Sequence, residues 1–473
     1  MAPRTFDVAV IGSGPGGYRA AVLGSLRGLR VAIVEQAEWG GTCLNRGCIP
    51  KKAWYSTARL VAAKDGYAAR GIVGAPPRAD LAQAWRHQRA LVETVRASYL
   101  DYLKRLGIGV LTGRARLAPR RGIEVEGAGT IAAANVVLAT GSMPFVPPTL
   151  ALHPGRVLTS DELFDSPPPP GRRVAIVGSG VIGTELAFIL AMLGRDVAWL
   201  TQSEPLARVG FSRPALDALA KALASHGLAP RRSGRPRSAR VDASGVTLAL
   251  ADGTEERADW VLVANGRRAN VAALGLDAAG VGLDAAGFVA VDERMRTSAA
   301  GVYAIGDCAN PRMTANHALD EATVAVADIV APGSARRDPT AVPEVVYSAL
   351  ELARVGIGEE AAERAGREPA IGFAALDASP AALALDAPRG FARLVADHDS
   401  GTLLGAEAVG ADAGEWIHLA AAWLGRRDGL AALARIRYNH PTLAEELRNA
   451  TETLAARWGL GATVFTPGRA DPE

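Results

Sequence analysis

Two stretches of this chain spell the same pattern, and that repetition narrows the fold more than any other feature. Gly12-Ser13-Gly14-Pro15-Gly16-Gly17 follows the β-rich run from Phe6 to Ile11 and opens an Ala-rich helical pattern. Gly178-Ser179-Gly180-Val181-Ile182-Gly183 follows Val174 to Val177 and opens the helical run from Thr184 to Leu193. Strand, glycine turn, helix is the context in which G-x-G-x-x-G binds a dinucleotide. The glycines let the backbone approach a pyrophosphate, and the helix N-terminus supplies partial positive charge. In the first copy a second strand, Val31 to Val34, ends in Glu35, an acid placed to accept from ribose hydroxyls. In the second copy the corresponding strand, Val197 to Leu200, ends in Thr201 and Gln202 with no carboxylate. Two complete fingerprints predict two dinucleotides, each on its own α/β domain.

Just after the first βαβ unit comes Gly40-Gly41-Thr42-Cys43-Leu44-Asn45-Arg46-Gly47-Cys48-Ile49-Pro50-Lys51-Lys52, which holds two of the three cysteines. Thiols this close can close a small disulfide ring, and small strained rings are the reducible kind. Gly47 between them suits a tight backbone passing a planar ligand. Lys51 and Lys52 add positive charge, which favours thiolate. Two small apolar residues buried by chance is the bland alternative, and the adjoining fingerprint weighs against it.

Composition sets the limits. A chain of 473 residues is too long for one core and predicts about three domains. Hydrophobic content of 49% and charged content of 21% are those of a globular protein. A formal net charge of +3 implies neither a nucleic-acid nor a membrane partner. Three cysteines argue against a secreted disulfide framework. Met1 to Asp7 runs directly into a strand without the pattern of a signal peptide, and no apolar run approaches a membrane span. A cytoplasmic location is expected. The seven histidines show no metal-ligand spacing, so no metal site is expected.

Along the rest of the chain, Trp54 to Leu106 reads as two long helices with breakers confined to Gly66 to Pro77. Trp54, Tyr55, Trp85 and Tyr99 are expected in the core. Ile108 to Gly113, Ile123 to Val125 and Ile131 to Leu138 read as strands of a small sheet, ending at Ala139-Thr140-Gly141-Ser142-Met143-Pro144. Ser166 to Gly171, with four prolines, is the clearest linker, and Pro332 to Asp338 is a second. Trp260 to Ala264 is a strand leading into Asn265-Gly266-Arg267-Arg268-Ala269-Asn270. Asp307, at the end of an apolar strand, is placed to bond a polyol hydroxyl, or alternatively to cap a helix. Cys308 is expected to be a buried small residue. From Val342 strands and helices alternate without a glycine fingerprint, ending in Asn439-His440-Pro441-Thr442-Leu443-Ala444-Glu445. Glu445 could orient His440 as carboxylates orient catalytic imidazoles.

Jointly these motifs resemble the class I pyridine nucleotide–disulfide oxidoreductases, from Gly12 to Glu445. Their details are most like the dihydrolipoamide dehydrogenase subfamily: Thr42 to Cys48, Val181-Ile182-Gly183, His440-Pro441-Thr442-Leu443 and Gly390 to Val395. The resemblance implies two Rossmann-like dinucleotide-binding domains plus a C-terminal α+β dimerisation domain. Residues 1–147 and 269–338 would form the FAD-binding and central parts, 148–268 the NAD(P) domain, and 339–473 the dimerisation domain. Gly12, Gly14, Gly17 and Glu35 would hold the ADP moiety of FAD. Gly41, Thr42, Ala115, Thr140, Gly141, Ser142, Asp307 and Ala315 match further FAD contacts. Lys52 would lie near the flavin N5 and pair with Glu185. Gly178, Gly180, Gly183, Thr201 and Gly266 would serve the nicotinamide cofactor. Cys43 resembles the interchange thiol, and Cys48 the thiol against the flavin. His440 and Glu445 match the catalytic base and its partner, reaching the cysteine pair of the other subunit of a homodimer.

Lys51 departs from that subfamily, which usually has Ser, as do Asn316 for His and Leu350 for Pro. Gln202 replaces an arginine of the NADPH-dependent relatives, whereas Arg208 keeps their second one. The expected activity is FAD-dependent oxidation of lipoyl dithiols, protein-bound or small, with NAD preferred and NADP also used. Two alternatives stand beside it: an NADPH-driven reductase of a low-molecular-weight disulfide, and a flavoprotein subunit of a lipoyl-carrier assembly.

Overall fold

The computed structural model describes residues 4–118 and 122–465. The chain forms two compact units, the first from residues 1–57, 79–178 and 235–338, the second from 58–78, 179–234 and 339–473.

The first unit is built on a seven-stranded sheet. Its strands run in the order Gly109–Thr112, Val31–Glu35, Arg4–Ile11, Gly129–Leu138, Gly122–Val125, Ala115–Ala118, and Val302–Ala304 pairs with the far half of Gly129–Leu138. The three runs expected to be strands of a small sheet belong to this seven-stranded one. The reason is the length of Gly129–Leu138. It pairs antiparallel with Gly122–Val125 through residues 129–132 and parallel with Arg4–Ile11 through residues 131–138. One continuous strand thus serves both the hairpin and the nucleotide fold. Val8 and Val10 enter one core cluster, Ala9 and Ile11 the other, so the first strand is buried on both faces. The fingerprint turn leaves the carboxyl end of this strand, the place where α/β sheets bind ligands.

Helices Cys48–Ala62 and Leu81–Arg105 bracket the breaker-rich stretch, as the periodicity predicts. Trp54 and Tyr55 are buried, Trp85 and Tyr99 only half so, and Tyr99 stacks on Tyr18 at 4.3 Å. A second parallel arrangement in this unit joins Val157–Thr159, Trp260–Val263 and Arg173–Val177.

In the second unit, Asp196–Thr201 pairs parallel with the two-residue strand Arg231–Arg232. The segment after Pro339 forms a five-stranded antiparallel sheet, Glu344–Tyr347, Glu351–Gly356, Leu403–Val409, Phe391–Asp397, Pro369–Ala375. Helix Glu445–Trp458 lies on it so closely that a Cβ at Gly372 would fall 2.2 Å from the Ala450 carbonyl oxygen. Leu447, Ala450 and Leu454 are fully buried beneath it. The Trp458 indole N–H donates to the Ile371 carbonyl at 3.2 Å. This docking fixes the N-terminal turn of the helix, where Glu445 sits. No helix among the described residues is long and apolar enough to cross a membrane.

Candidate active site

The first fingerprint is dictated by steric contacts. Gly12 has φ +103°, and a Cβ there would lie 2.3 Å from the Ala139 carbonyl oxygen. A Cβ at Gly17 would fall 1.9 Å from the Gly12 carbonyl. Gly14, the N-cap of helix Pro15–Leu26, is different: nothing lies within 4 Å of the Cβ it lacks. Two glycines close the turn and the third leaves open backbone at a helix N-terminus, a cradle suited to a pyrophosphate. Glu35 is buried beside it. Its Oε2 accepts from the Ser13 N–H at 2.9 Å and the Ser13 hydroxyl at 2.7 Å, and its Oε1 accepts from the Ala37 N–H. The Ser13 hydroxyl in turn accepts from the Gly40 N–H at 2.9 Å. Ser13 thus ties the fingerprint, the acid and the cysteine segment together, a role its place between two glycines did not announce.

The cysteine segment folds as two helices, Gly41–Arg46 and Cys48–Ala62, separated by Gly47. Cys43 and Cys48 are joined in a disulfide, with Cα atoms 4.7 Å apart. Gly41, at φ +62°, comes so near the fingerprint that its Cβ would stand 2.7 Å from the Gly14 Cα. The disulfide-bearing helix therefore starts against the open glycine of the dinucleotide turn. Gly47 allows the ring to close, since a Cβ would sit 3.1 Å from the Thr42 carbonyl oxygen. Cys43 is half-buried and Cys48 exposed. Lys52 stands one turn beyond Cys48, its Nζ 5.6 Å from the Tyr55 ring centre.

Polar contacts that sequence reasoning missed hold Asn45 and Arg46, two of the four residues between the cysteines. Asn45 is fully buried. Its amide donates to the Trp39 and Gly41 carbonyls at 3.0 and 2.9 Å, and its Oδ1 accepts from Arg96 Nη2 at 2.6 Å. Arg46 pairs with Glu38 at 2.7 Å and with Asp165. Burial pushes the Asp165 carboxyl up, against the pull of Arg46.

Asp307, Thr140, Gly141 and Ser142 come together at the carboxyl ends of the central strands. The Ser142 hydroxyl donates to Asp307 Oδ2 at 2.5 Å and accepts from Arg267 Nε at 2.8 Å. Arg267 also pairs with Asp161 at 2.9 Å. The Thr140 hydroxyl donates to the Asn270 carbonyl at 2.7 Å, and Gly141 takes φ +72°. Asp307 lies within the short 3₁₀ turn Gly306–Cys308 rather than at a helix N-cap. Burial raises its carboxyl, while the Ser142 hydrogen bond and then Arg267 oppose the rise. The buried Glu321 holds this turn by accepting the Gly306 N–H at 2.7 Å. Cys308 is fully buried, its thiol pushed up to about 11 by desolvation. Ala315 opens helix Ala315–Val330, and Ala115 lies on the outermost strand of the sheet.

The second fingerprint repeats the first at its first two glycines. Gly178 has φ +141°, and its Cβ would meet the Ala264 carbonyl oxygen at 2.2 Å. Gly180, the N-cap of Val181–Met192, again has open space where its Cβ would be. Gly183 is buried within that helix, and Gly266 takes φ +105°. Glu185 is buried and accepts the Tyr347 N–H at 2.8 Å. Thr201 ends its strand buried, and its hydroxyl stands 3.5 Å from the Arg231 carbonyl oxygen.

His440 Nδ1 lies 3.2 Å from both oxygens of Glu445. Glu445 is held from two further directions, by the Thr442 N–H at 2.8 Å and by Arg448 Nη2 at 3.1 Å. The backbone hydrogen bond from Thr442 leads in depressing its pKa, with His440 and Arg448 assisting against partial desolvation. The His440 side chain is 70% exposed, so a ring whose Nδ1 side is anchored presents its other nitrogen outward.

Two dinucleotide cradles, a disulfide beside one of them and an oriented surface imidazole define a dinucleotide-dependent disulfide oxidoreductase. Residues 6–326 match the pyridine nucleotide-disulphide oxidoreductase family, and residues 342–451 match that family's dimerisation domain. The chain belongs to this family. It is 37% identical over 459 residues to a dihydrolipoyl dehydrogenase of Thermus scotoductus, covering 95% of this chain and 98% of the relative. Among solved structures it is similar to the HOCl-induced flavoprotein disulfide reductase RclA of Escherichia coli, at 25% identity and a TM-score of 0.82. That match covers 95% of this chain and 99% of the other. The fold is also that of LpdA from Mycobacterium tuberculosis, at 23% identity, a TM-score of 0.88 and the same coverage.

Proposed function

We propose that this protein oxidises dihydrolipoyl groups, passing the electrons through Cys43–Cys48 and FAD to NAD(P)+. The observation that carries the reading is the disulfide helix starting at Gly41 against the open Gly14 of the first fingerprint. Gly12, Gly14, Gly17 and Glu35 would hold the ADP end of FAD, and Ser142 and Asp307 would supply further polar contacts to it. The vacant Cβ position at Gly14 and the helix N-terminus beneath it suit a pyrophosphate. The second cradle, at Gly178 and Gly180, takes the nicotinamide dinucleotide. Bound FAD supplies the two-electron relay between the dithiol and the nicotinamide.

The chain's own residues divide the thiol chemistry. His440 of one protomer takes the proton of a substrate thiol, and Glu445 holds the imidazolium that forms. The substrate thiolate attacks Cys43 Sγ, and the Cys43–Cys48 bond breaks, leaving a mixed disulfide and a Cys48 thiolate. The second substrate thiol then attacks the substrate sulfur of the mixed disulfide. Substrate leaves as a disulfide and both cysteines are left reduced, so two electrons have moved onto the pair. The exposure of His440 and the matched dimerisation domain support a homodimer in which this imidazole serves the partner's disulfide. The lipoyl group as substrate follows the names of the relatives, 37% identical in the Thermus case.

The same sulfur chemistry run from NADPH would reduce a small disulfide, a reading favoured by Lys51-Lys52 and by the likeness to a flavoprotein disulfide reductase. A steady-state comparison of dihydrolipoamide with NAD+ against glutathione disulfide with NADPH separates the two. Turnover in the first assay is expected, and turnover in the second alone would overturn the reading. We assign residues 1–147 and 269–338 to FAD, 148–268 to the nicotinamide cofactor and 339–473 to dimerisation, in a protein of the cytoplasm.

A further inference from the structure

The Glu445 carboxylate is shared between an imidazole and a guanidinium. Its Oε1 meets His440 Nδ1 at 3.2 Å and accepts from Arg448 Nη2 at 3.1 Å, so a single oxygen atom separates the two groups. Its Oε2 meets the same Nδ1 and takes the Thr442 N–H at 2.8 Å. A carboxylate acting alone would hold an imidazolium tightly and raise the pH at which the ring gives up its proton. That is a poor property in a base, which must be unprotonated to accept. Arg448 opposes it in two ways. It draws on the charge of an oxygen that the imidazole uses, and it repels a proton arriving on the ring.

The arginine is itself held in place. Its guanidinium carbon lies 5.5 Å from the centre of the Tyr438 ring, and Tyr438 stands two residues before His440. The Tyr438 hydroxyl donates to the Leu433 carbonyl at 3.2 Å, and burial pushes the phenol up to about 12, so the ring is a neutral platform for a cation. Tyr438, Arg448, Glu445 and His440 thus close a circuit between the segment before Pro441 and the start of helix Glu445–Trp458. Other charges close by are engaged or exposed. Arg448 Nε stands 3.8 Å from the exposed Glu452, and buried Glu446 accepts from Asn449 Nδ2 at 2.9 Å. Of the elements packed on this helix, Pro369–Ala375 and Gly461–Phe465 carry no charged residue. Phe391–Asp397 carries Arg393 and Asp397, paired with Glu359 and Arg367. Gly429–Arg435 ends in Arg435, which is exposed, as is Arg437 beyond it.

We propose that Arg448 is a positioning residue of the thiol-oxidising site: it divides the Glu445 carboxylate with His440, so that an acid orients the base without holding it in its protonated form. Tyr438 carries the arginine, and so ties the strength of the base to the segment that presents it. The inference rests on the reading of His440 as the base for dihydrolipoyl thiols.

The test is the imidazole titration of His440, followed by NMR in FAD-loaded protein carrying isotope-labelled histidine, with the resonance assigned by its loss in His440→Gln. Arg448→Gln keeps a donor for Glu445 and deletes the charge. It should move the titration midpoint up by about half to one pH unit, the modest size reflecting an exposed ring. Arg448→Lys keeps the charge and should move it less. The gap between wild type and Arg448→Gln should narrow as salt is raised. In stopped-flow reduction of the flavin by dihydrolipoamide, the acid limb of the pH profile should move up by the same amount in Arg448→Gln. An unmoved or lowered midpoint in Arg448→Gln would overturn the inference and leave the proposed function standing. So would an equal rise in Arg448→Lys, which would trace the effect to lost packing and not to lost charge. A raised midpoint with an unmoved acid limb would overturn the reading of His440 as the base, and the inference with it.

Discussion

His440 Nδ1 stands 3.2 Å from both carboxylate oxygens of Glu445, an acid that the Thr442 N–H and Arg448 hold in place from two other directions. The carboxylate is positioned by the docked helix it begins, so the imidazole inherits a fixed orientation from the core. His440→Gln should therefore slow dihydrolipoamide oxidation by roughly 10²–10⁴-fold. Flavin reduction by NADH, which needs no base at this position, should change far less. Stopped-flow traces of the two half-reactions check it. Equal slowing of both would place His440 elsewhere in the scheme.

The same geometry sets a pH dependence. Glu445 is depressed below its ordinary value of 4.5, chiefly by the Thr442 N–H. A carboxyl whose folded pKa lies below its unfolded one stabilises the fold above the unfolded value. That contribution is lost as pH falls through the folded pKa. Denaturation midpoints of wild type and Glu445→Gln should differ by a constant amount above about pH 5 and converge below it. A gap that widens on acidification would contradict the assignment.

Asp307 behaves in the opposite sense. Burial raises its pKa, and the Ser142 hydroxyl at 2.5 Å restrains the rise. Ser142→Ala removes that donor, so Asp307 should take a proton at a higher pH than in the wild type. If Asp307 bonds the flavin dinucleotide as a carboxylate, FAD release on acidification should begin at a higher pH in the variant. Flavin fluorescence across a pH titration measures this. An unshifted release curve would separate Asp307 from flavin binding.

Asn45 and Arg96 predict a mechanical effect on the disulfide. Asn45→Ala leaves Arg96 and two carbonyls of the Trp39–Gly41 turn without their buried partner. A loss of about 1–3 kcal/mol of stability is expected, with faster reduction of Cys43–Cys48 by an external dithiol. Asn45→Asp, which keeps the acceptor for Arg96, should recover part of both.

Much of this site is legible along the chain because its constraints are local. The fingerprints are steric demands on glycines within a few residues of each other, and the cysteine pair and the His440–Glu445 pair each span only five positions. What escapes a linear reading is long-range and polar. Asn45 meets Arg96 across 51 residues, Ser142 meets Asp307 across 165, and Ser142 meets Arg267 across 125. None of these side chains sits in a pattern that marks its partner. The size of the sheet escapes for a related reason. Strand Gly129–Leu138 changes partners along its length, and hydrophobic alternation does not record which neighbour a strand has.

The central claim is that electrons cross the Cys43–Cys48 bond on their way to FAD. Cys48→Ser removes one sulfur of that bond and leaves the Gly12–Gly17 cradle and its Glu35 anchor untouched. The decisive measurement is the steady-state rate of dihydrolipoamide oxidation by purified, FAD-loaded Cys48→Ser protein. The account predicts a yellow protein with flavin still reducible by NADH and no dihydrolipoamide turnover; turnover at the wild-type rate would contradict it.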